Sequence, residues 1–319
     1  MTPAEPSTTV HLVHIVVAAA RLWLRIDIGT YSSRRAVLAS QRALAMDNCG
    51  ITSVLNFRDV GSTVNDYLGH DASSEDRKRL RDDLGIKAVI DLRTKTEHVR
   101  QAKKRQADLQ IPALLQSNAA LAEPVQIPGL RYHEIKVTGG NFERFLLSKV
   151  SWGGFFRLIF LFIFGYRNEG ISILSREVML PRGLVGLGFD TLDQSGPEVA
   201  KALRVFLDPT GSPTLVHCTQ GKDRTGLIVT LVLLILEVPL EAIEHDYSLT
   251  QGALESEREE RLIEMREIGL TDEWFDTAPD MIVSIARHLD EVYGGVQGYL
   301  DKIGFDRDDR QELKQLLLY

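Results

Sequence analysis

The sequence predicts an α/β fold with a central sheet flanked by helices, and three observations support this prediction. Between residues 73 and 105 the pattern runs helix, strand, helix, which is typical of α/β architectures. At 214–236 a short apolar strand leads through a tight loop into a helix that is apolar on all sides, and such a helix must lie in the protein interior. From residue 255 onward the chain is charged, periodic and helical.

The first elements carry clear boundary signals. Two serines followed by acidic residues open a helix at Ser73, and Gly85 ends it. The next segment, 87–92, is short and apolar, as expected of a buried strand. Thr94 and Glu97 then have the spacing of a capping box at the start of a basic helix.

The middle of the chain is predicted to contain two further strands, at 131–137 and 214–218. Residues 141–180 are expected to be mainly helical. A proline and three glycines at 181–188 indicate a loop, because these residues interrupt regular structure. A helix at 197–207 is expected to follow this loop.

The C-terminal part is predicted to be helical throughout. Pro239 suits the beginning of a helix, since its missing N–H group is not needed there. Glycines end helices readily, so Gly294, Gly295 and Gly304 are expected to separate three helices in the final charged region.

Composition limits the classes of function. The 319 residues are sufficient for a large core, and their apolar and charged fractions are those of a globular protein. The net charge of −7 argues against nucleic-acid binding, and an anionic substrate would have to be captured by a local positive site. The two cysteines, Cys49 and Cys218, favour a reducing compartment and therefore a cytoplasmic protein.

Residues 1–50 are predicted to form an N-terminal extension, disordered or partly helical, ahead of one domain at 51–319. The apolar run at 12–20 has no basic region before it and lacks the order of a secretory signal. Residues 1–46 are rich in serine and arginine and poor in acids, which leaves a mitochondrial transit peptide as the alternative.

A second apolar run, at 155–166, is too short to span a bilayer and contains Arg157. One interpretation is a buried helix. The other is an apolar helix that covers a pocket or makes peripheral contact with a membrane surface.

The residues that indicate a chemistry lie at 217–226 and read HCTQGKDRTG. A loop between a strand and a helix N-terminus points backbone N–H groups inward, and together with the helix dipole these groups form an anion site. Gly221 permits the tight turn, and the planar fork of Arg224 matches two phosphate oxygens at once. The predicted phosphate-binding residues are Thr219, Gln220, Gly221, Lys222, Asp223 and Arg224.

Cys218 is the predicted nucleophile. The field of a helix N-terminus beside a cation favours the thiolate, which can attack phosphorus and form a cysteinyl-phosphate that water later opens. His217 is expected to orient the loop through hydrogen bonds and to favour the thiolate. Thr225 is expected to donate a hydrogen bond to the departing sulfur. The competing interpretation, a structural cysteine near a surface arginine, does not account for the joint pattern.

The leaving oxygen needs a proton, and three carboxyl groups are candidates for the general acid. Asp223 lies inside the loop, Asp190 lies in the glycine-rich stretch and Asp91 lies at a strand end. Sequence leaves the choice open, because geometry decides it. Lys222 is expected to add positive charge at the mouth of the site, which would favour substrates with a second nearby anion.

The segment 217–226 resembles the HCxxGKDRTG loop of the tyrosine/serine protein phosphatase family of bacteria and fungi. Two further segments are similar to that family's motifs: NFRDVG at 56–61, and DLR at 91–93 followed by Glu97. The resemblance covers roughly residues 51 to 304. It implies a protein-tyrosine-phosphatase-like fold, with catalysis by Cys218 and Arg224 and with Asp223 as the general acid.

The resemblance also implies a helical lid insertion, placed at about 141–180, and substrates such as phosphotyrosine, phosphoserine or phosphothreonine and phosphoinositides. The sequence departs from the family in one respect. After the NFRD segment, members have a strand that ends in an aromatic-Arg-Ser motif. In this chain Gly61 leads to the helix at Ser73 with no such strand.

Three functional hypotheses follow from these observations. The first is a phosphatase acting on phosphoprotein side chains, and the second is a phosphoinositide or inositol-phosphate phosphatase, favoured by Lys222 and the apolar run at 155–166. The third is an inactive phosphate-binding module, favoured by the missing strand. The histidines show no metal-ligand spacing, so we expect no metal and no other cofactor, and no obligate protein partner is evident.

Overall fold

The computed structural model describes the side chains and backbone of most of the chain from residue 80 onward, and three short strands before it by their backbone alone. The described residues are 15–18, 57–59, 64–65, 80–82, 84–99, 126–255 and 258–318. No helix within these ranges combines the length and the apolar character that crossing a membrane requires.

One mixed sheet forms the centre of the fold. Its strands are β1 (Ile15–Ala18), β2 (Phe57–Asp59), β3 (Val64–Asn65), β4 (Ala88–Asp91), β5 (Arg131–Glu134) and β6 (Thr214–His217). Their spatial order is β3-β2-β1-β6-β4-β5. β4 runs parallel to both of its neighbours, with Ile90 opposite Val216 of β6. The strands predicted at 87–92, 131–137 and 214–218 are confirmed.

Helices flank this sheet, as the α/β prediction requires. Before β6 they are α1 (Gly140–Lys149), α2 (Trp152–Ile163), α3 (Arg167–Leu174), α4 (Leu180–Gln194) and α5 (Gly196–Val205). After it they are α6 (Asp223–Ile235), α7 (Leu240–Leu254), α8 (Arg258–Glu267), α9 (Met281–Tyr293), α10 (Val296–Lys302) and α11 (Arg307–Leu318). Residues 95–99 form a short helical segment.

The predicted loop at 181–188 is wrong, because α4 runs through it. Only Gly183 departs from helical geometry, with φ 66° and ψ 176°. Leu184, Val185 and Phe189 pack against the main hydrophobic core, and this burial outweighs the weak helix propensity of the glycines between them. The glycine separators of the C-terminal region are confirmed, and α8 is a further helix ahead of them.

The N-terminal part contributes more to the sheet than the sequence indicated. β1 lies within the predicted extension and pairs antiparallel with β6 and parallel with β2. Between Gly61 and Ser73 the structure has β3, a strand of two residues that pairs antiparallel with β2 and does not end in an aromatic-Arg-Ser motif. The expected departure from the family at this point stays a prediction. The division at residue 50 stays a prediction. Most of the predicted helix at 73–84 and the end of the basic helix near 105 lie outside the described residues.

The core lies between the sheet and α6. Every residue of β4 and β6 is buried, and Ile228, Leu231 and Ile235 of α6 are completely covered. The loop between β6 and α6 is therefore fixed at both ends by buried elements. This arrangement holds residues 218–222 in place with little freedom.

Candidate active site

The loop at 218–222 turns sharply between the end of β6 and the start of α6. Gly221 has a φ of 59°, a conformation that costs little only for glycine, as its place in the motif predicted. Its N–H group donates a hydrogen bond to the sulfur of Cys218 at 3.0 Å. The sulfur therefore lies at the base of a backbone loop that opens into a helix N-terminus, and this is an environment that stabilises negative charge.

Arg224 is held by a carboxylate from a distant part of the chain. Its Nη1 and Nη2 groups donate to the two oxygens of Glu97 at 3.0 and 2.6 Å. Nη1 also donates to the carbonyl oxygen of Leu92 at 3.4 Å, and Nη2 to the hydroxyl of Thr219 at 3.2 Å. Thr219 in turn donates to Glu97. The guanidinium plane is thereby fixed beside the loop.

Both members of this pair remain charged. Burial alone would lower the pKa of Arg224, but the Glu97 carboxylate outweighs burial and raises that pKa above its usual value. Burial alone would raise the pKa of Glu97, but Arg224 and the hydroxyl of Thr219 hold it well below its usual range. The cation expected from the sequence is present at the loop, and it is neutralised in part by its partner.

Sequence reasoning placed Glu97 in the helix cap and in the family-like segment that begins at Asp91, but it missed the pairing of Glu97 with Arg224. The capping box is confirmed: Thr94 N–H donates to Glu97 Oε2 at 2.7 Å, and Glu97 N–H donates to Thr94 Oγ1 at 3.3 Å. This cap fixes the Glu97 carboxylate at the end of β4, next to the end of β6. β4 and β6 are parallel neighbours, so the segments that follow them meet at the same edge of the sheet. This placement is the signal that would have brought Glu97 and Arg224 together.

Asp91 is an anchor inside the protein and not a proton donor. Its carboxylate, 1% exposed, accepts from Arg93 Nη2 at 2.6 Å and lies 3.1 Å from His98 Nε2 and 3.6 Å from His217 Nε2. Burial alone would raise the pKa of this carboxyl, but its contacts with His217, Arg93 and His98 hold it well below the usual range. The candidacy of Asp91 as general acid is therefore wrong.

Asp190 is also engaged elsewhere. It is buried on α4, and Arg182 donates to both of its oxygens, with the Nε bond at 2.9 Å. Asp223 differs from both other candidates, because it is the first residue of α6 and its side chain is 44% exposed. Of the three candidates, Asp223 alone has a carboxyl group that is open to solvent beside the loop.

His217 is buried next to Cys218. Its Nδ1 lies 3.2 Å from the carbonyl oxygen of Cys218, which can only accept, so we assign the proton to Nδ1. Burial lowers the pKa of His217 to about 4, although the nearby Asp91 opposes this effect. A neutral imidazole braces the backbone of the loop, as expected, but it provides no cation for the thiolate.

Lys222 does not contribute charge at the mouth of the site. Its side chain is 1% exposed, and Nζ donates to the carbonyl oxygens of Trp274, Phe275 and Asp276 at 2.8, 3.1 and 3.0 Å. The expectation of an exposed ammonium at the mouth is wrong, because three buried carbonyl oxygens bind it instead. The lysine joins the loop to the segment after α8.

Two polar groups of the loop region lack partners. The hydroxyl of Thr225 and the side-chain N–H₂ of Gln220 are buried without a hydrogen bond to any described residue. Buried polar groups are normally paired, so each of these two groups is available to bond with a bound molecule. The expected hydrogen bond from Thr225 to the sulfur of Cys218 is not formed in this state.

The site can hold a tetrahedral oxyanion next to a sulfur nucleophile. The N-terminus of α6 and the fork of Arg224 are donors of the kind that bind such an anion. Among the described side chains no group of three or more His, Cys, Asp and Glu residues has the geometry to hold a metal ion.

Comparison with known protein families matches residues 49–319, most of the chain, to the tyrosine phosphatase family. The chain belongs to the tyrosine phosphatase family. The protein-tyrosine-phosphatase-like fold and the cysteine-based hydrolysis of phosphoric monoesters, both expected from the 217–226 segment, are confirmed.

Three relatives illustrate the breadth of this tyrosine phosphatase's similarity. The chain is 26% identical over 292 residues to the triple specificity protein phosphatase PtpB of Mycobacterium tuberculosis, across 82% of the chain and 96% of PtpB. It is 29% identical over 156 residues to a tyrosine-protein phosphatase of Nostoc commune, across 46% of the chain and 53% of that relative. A 66-residue match, 35% identical, to the inositol diphosphatase DSP5 of Arabidopsis thaliana covers 21% of the chain and 32% of that relative.

Proposed function

We propose that this tyrosine phosphatase hydrolyses phosphotyrosine side chains through a cysteinyl-phosphate on Cys218. One observation carries the proposal: the sulfur of Cys218 accepts the N–H group of Gly221 at the base of a loop beside which Arg224 is already fixed by Glu97. The nucleophile and the phosphate-binding fork are thus positioned before substrate arrives. Preorganised donors of this kind are the largest single contribution to many enzymatic rate enhancements.

Substrate binding requires a limited exchange of contacts at Arg224. The four hydrogens of Nη1 and Nη2 are directed to Glu97, to the Leu92 carbonyl and to the Thr219 hydroxyl. The bonds to Leu92 and Thr219 are the longer ones, at 3.4 and 3.2 Å. We infer that phosphate oxygens replace these two contacts and that the pair with Glu97 persists, because a phosphate oxygen accepts more strongly than a neutral oxygen.

The chemical step then follows from the arrangement. The thiolate of Cys218 attacks phosphorus, the bond from phosphorus to the ester oxygen breaks, and the departing phenolate oxygen takes a proton from Asp223. Water then attacks the cysteinyl-phosphate, the sulfur leaves as thiolate, and Asp223 accepts the proton of the water. The unpartnered hydroxyl of Thr225 is available to donate to that sulfur as it leaves.

Other phosphorylated substrates are alternatives, and the support for each of them differs. Phosphoserine and phosphothreonine fit the same chemistry, and the similarity to a relative named as a triple specificity phosphatase supports them. The local match to an inositol diphosphatase supports a phosphoinositide or inositol phosphate as the second candidate. The burial of the Lys222 ammonium removes one reason for that candidate, since this charge is not available to a second phosphate. An inactive phosphate-binding module remains the third hypothesis.

We propose a reducing compartment because of the chemistry of the thiol. A single nucleophilic thiol is readily oxidised, so a reducing compartment such as the cytoplasm suits the enzyme. A mitochondrial location is the alternative, from the composition of residues 1–46.

The proposal is tested by the hydrolysis of an aryl phosphate without added metal. We expect turnover by the wild type and by the control Cys49→Ser, and none by Cys218→Ser, which should still bind vanadate or tungstate. Comparing kcat/KM for a phosphotyrosine peptide, a phosphoserine peptide and a soluble phosphoinositide then ranks the substrates. A folded wild type that binds tungstate and hydrolyses none of these would establish the phosphate-binding module instead. Activity retained in Cys218→Ser would refute the role of the sulfur.

A further inference from the structure

A contiguous apolar surface is exposed on α2. Its residues recur at helical spacing on one side, and we name them the aromatic ridge: Trp152, Phe156, Ile159, Phe160 and Ile163. Trp152 is 80% exposed and Ile163 is 75% exposed. Phe164 and Tyr166, just after the helix, extend this surface. Single exposed apolar residues are ordinary, but a continuous set of this size marks a site of interaction.

The opposite side of α2 is packed against the rest of the protein. Gly154 and Leu158 are buried, and the ring of Phe162 lies so close to Gly170 of α3 that a Cβ there would be 2.5 Å from it. Ser151 N–H donates to Glu177 at 2.8 Å, and the Ser151 hydroxyl caps the helix. The orientation of α2 is therefore fixed, and the aromatic ridge faces outward because the other side is already occupied.

The charged residues of the segment 149–168 are all basic, and a carboxylate from elsewhere in the chain, Glu177, lies at the N-terminus of α2. Lys149, Arg157 and Arg167 lie in or beside α2, and no acidic residue occurs between positions 149 and 168. The chain as a whole carries a net charge of −7. A basic, aromatic-rich segment on an acidic protein is complementary to an apolar surface with negative charge at its edge.

We propose that the aromatic ridge docks on the surface of an anionic lipid bilayer. Tryptophan and tyrosine at the two ends of the segment suit the headgroup region, phenylalanine and isoleucine suit the acyl boundary, and the cations suit anionic headgroups. α2 is about 18 Å long at 1.5 Å per residue, against a hydrocarbon core of about 30 Å, so it lies on the bilayer and does not cross it.

A second copy of the chain fits the same face less well. Two ridges in contact would bring Arg157 of each copy and its basic neighbours together, with no carboxylate between positions 149 and 168 to neutralise them. A lipid surface with negative headgroups neutralises these cations and covers the apolar side chains at once. The inference goes beyond the proposed function, because membrane docking does not depend on hydrolysis at Cys218.

The test is flotation of the full chain with vesicles of phosphatidylcholine, alone or with phosphatidylserine. We expect the wild type to float with the anionic vesicles and less in high salt, since salt screens the charge attraction. Phe160→Ser/Ile163→Ser should reduce the floated fraction about tenfold, because both apolar anchors are lost. Arg157→Glu should abolish the preference for phosphatidylserine. The matched control is Ile263→Ser, at an apolar position that is 59% exposed on α8, and it should float like the wild type.

Three results would overturn the proposal. The first is equal flotation of the wild type and the double variant. The second is no flotation, together with a wild-type dimer that the double variant dissociates, which would assign the ridge to a second copy. The third is no flotation, together with an altered KM for a soluble aryl phosphate in the double variant, which would indicate closure over the active site. Thermal unfolding of each variant checks its fold, and Trp152→Ser provides an independent single substitution.

Discussion

Glu97→Gln tests whether the pairing of Glu97 with Arg224 positions the phosphate-binding fork. The amide keeps the size of the side chain and one acceptor oxygen, but it loses the charge and one of the two bonds made at 3.0 and 2.6 Å. Arg224 and Glu97 are 19% and 24% exposed. The pair therefore lies between a surface ion pair, worth at most about 1 kcal/mol, and a fully buried one, whose disruption costs about 3–5 kcal/mol.

We expect the substitution to lower the free energy of unfolding by about 2 kcal/mol, the middle of that range. The assay is urea unfolding followed by far-ultraviolet circular dichroism, in which the midpoint should fall and the slope should stay unchanged. We also expect kcat/KM for an aryl phosphate to fall at least about tenfold, because a misplaced fork binds the transition state less well. Glu143→Gln is the control, since it removes an exposed ion pair with Lys136 and should change little.

The pH dependence gives a second, independent readout. The pKa of Glu97 is lower in the folded protein than in the unfolded chain, chiefly because the charge of Arg224 and its hydrogen bonds outweigh burial. Its stabilising contribution is therefore fully present above the unfolded value of about 4.3 and is lost as the pH falls below it. The difference in stability between the wild type and Glu97→Gln should narrow at low pH. A variant within twofold of wild-type kcat/KM, with the same urea midpoint at neutral pH, would refute the positioning role.

Two further substitutions test the assignments at the loop. Asp223→Asn should slow hydrolysis of an alkyl phosphate by about 10²–10⁴-fold, because its poor leaving group needs a proton. Hydrolysis of an activated aryl phosphate should be slowed much less. Equal decreases in kcat for the two substrates would remove Asp223 from the acid role. Lys222→Met should lower the urea midpoint by the equivalent of about 1–3 kcal/mol, because the carbonyl oxygens of residues 274–276 lose their buried donor. The ratio of activities on singly and doubly phosphorylated substrates should stay unchanged in Lys222→Met; a marked loss on the doubly phosphorylated one alone would mean that the ammonium reaches substrate.

Strands β4, β5 and β6 and the loop after β6 could be predicted because their signals are local, whereas β1, β2 and β3 were not predicted. An apolar strand, a glycine with positive φ and a wholly apolar helix all lie within residues 214–236. The strand and the helix are both buried, and this restricts the loop between them to one conformation. The helix through 181–188 could not be predicted in this way. Its glycines point to a loop locally, and the contacts of Phe189 and its neighbours with the core decide otherwise.

The directions of the charged side chains at the site could not be read from the sequence either. Lys222, Asp223 and Arg224 are consecutive, and a helix N-terminus separates consecutive side chains by a large angle. Lys222 is therefore buried, Asp223 is exposed, and Arg224 contacts Thr219 of the loop. Which of them meets which depends on segments far away in the chain: Glu97 for Arg224, and residues 274–276 for Lys222.

These two distant contacts have a common consequence for the loop that contains Cys218. Lys222, the last residue of the loop, binds the segment that follows α8, and Arg224, in the first turn of α6, binds Glu97 beyond the end of β4. His217 braces the beginning of the loop through the carbonyl of Cys218. A loop braced at three points keeps its N–H groups aimed inward before any phosphate arrives, so little reorganisation is needed when the substrate binds. Because Arg224 is paired with Glu97 and Lys222 is buried, anion binding in this acidic protein depends on the direction of the donors at the loop and less on net positive charge.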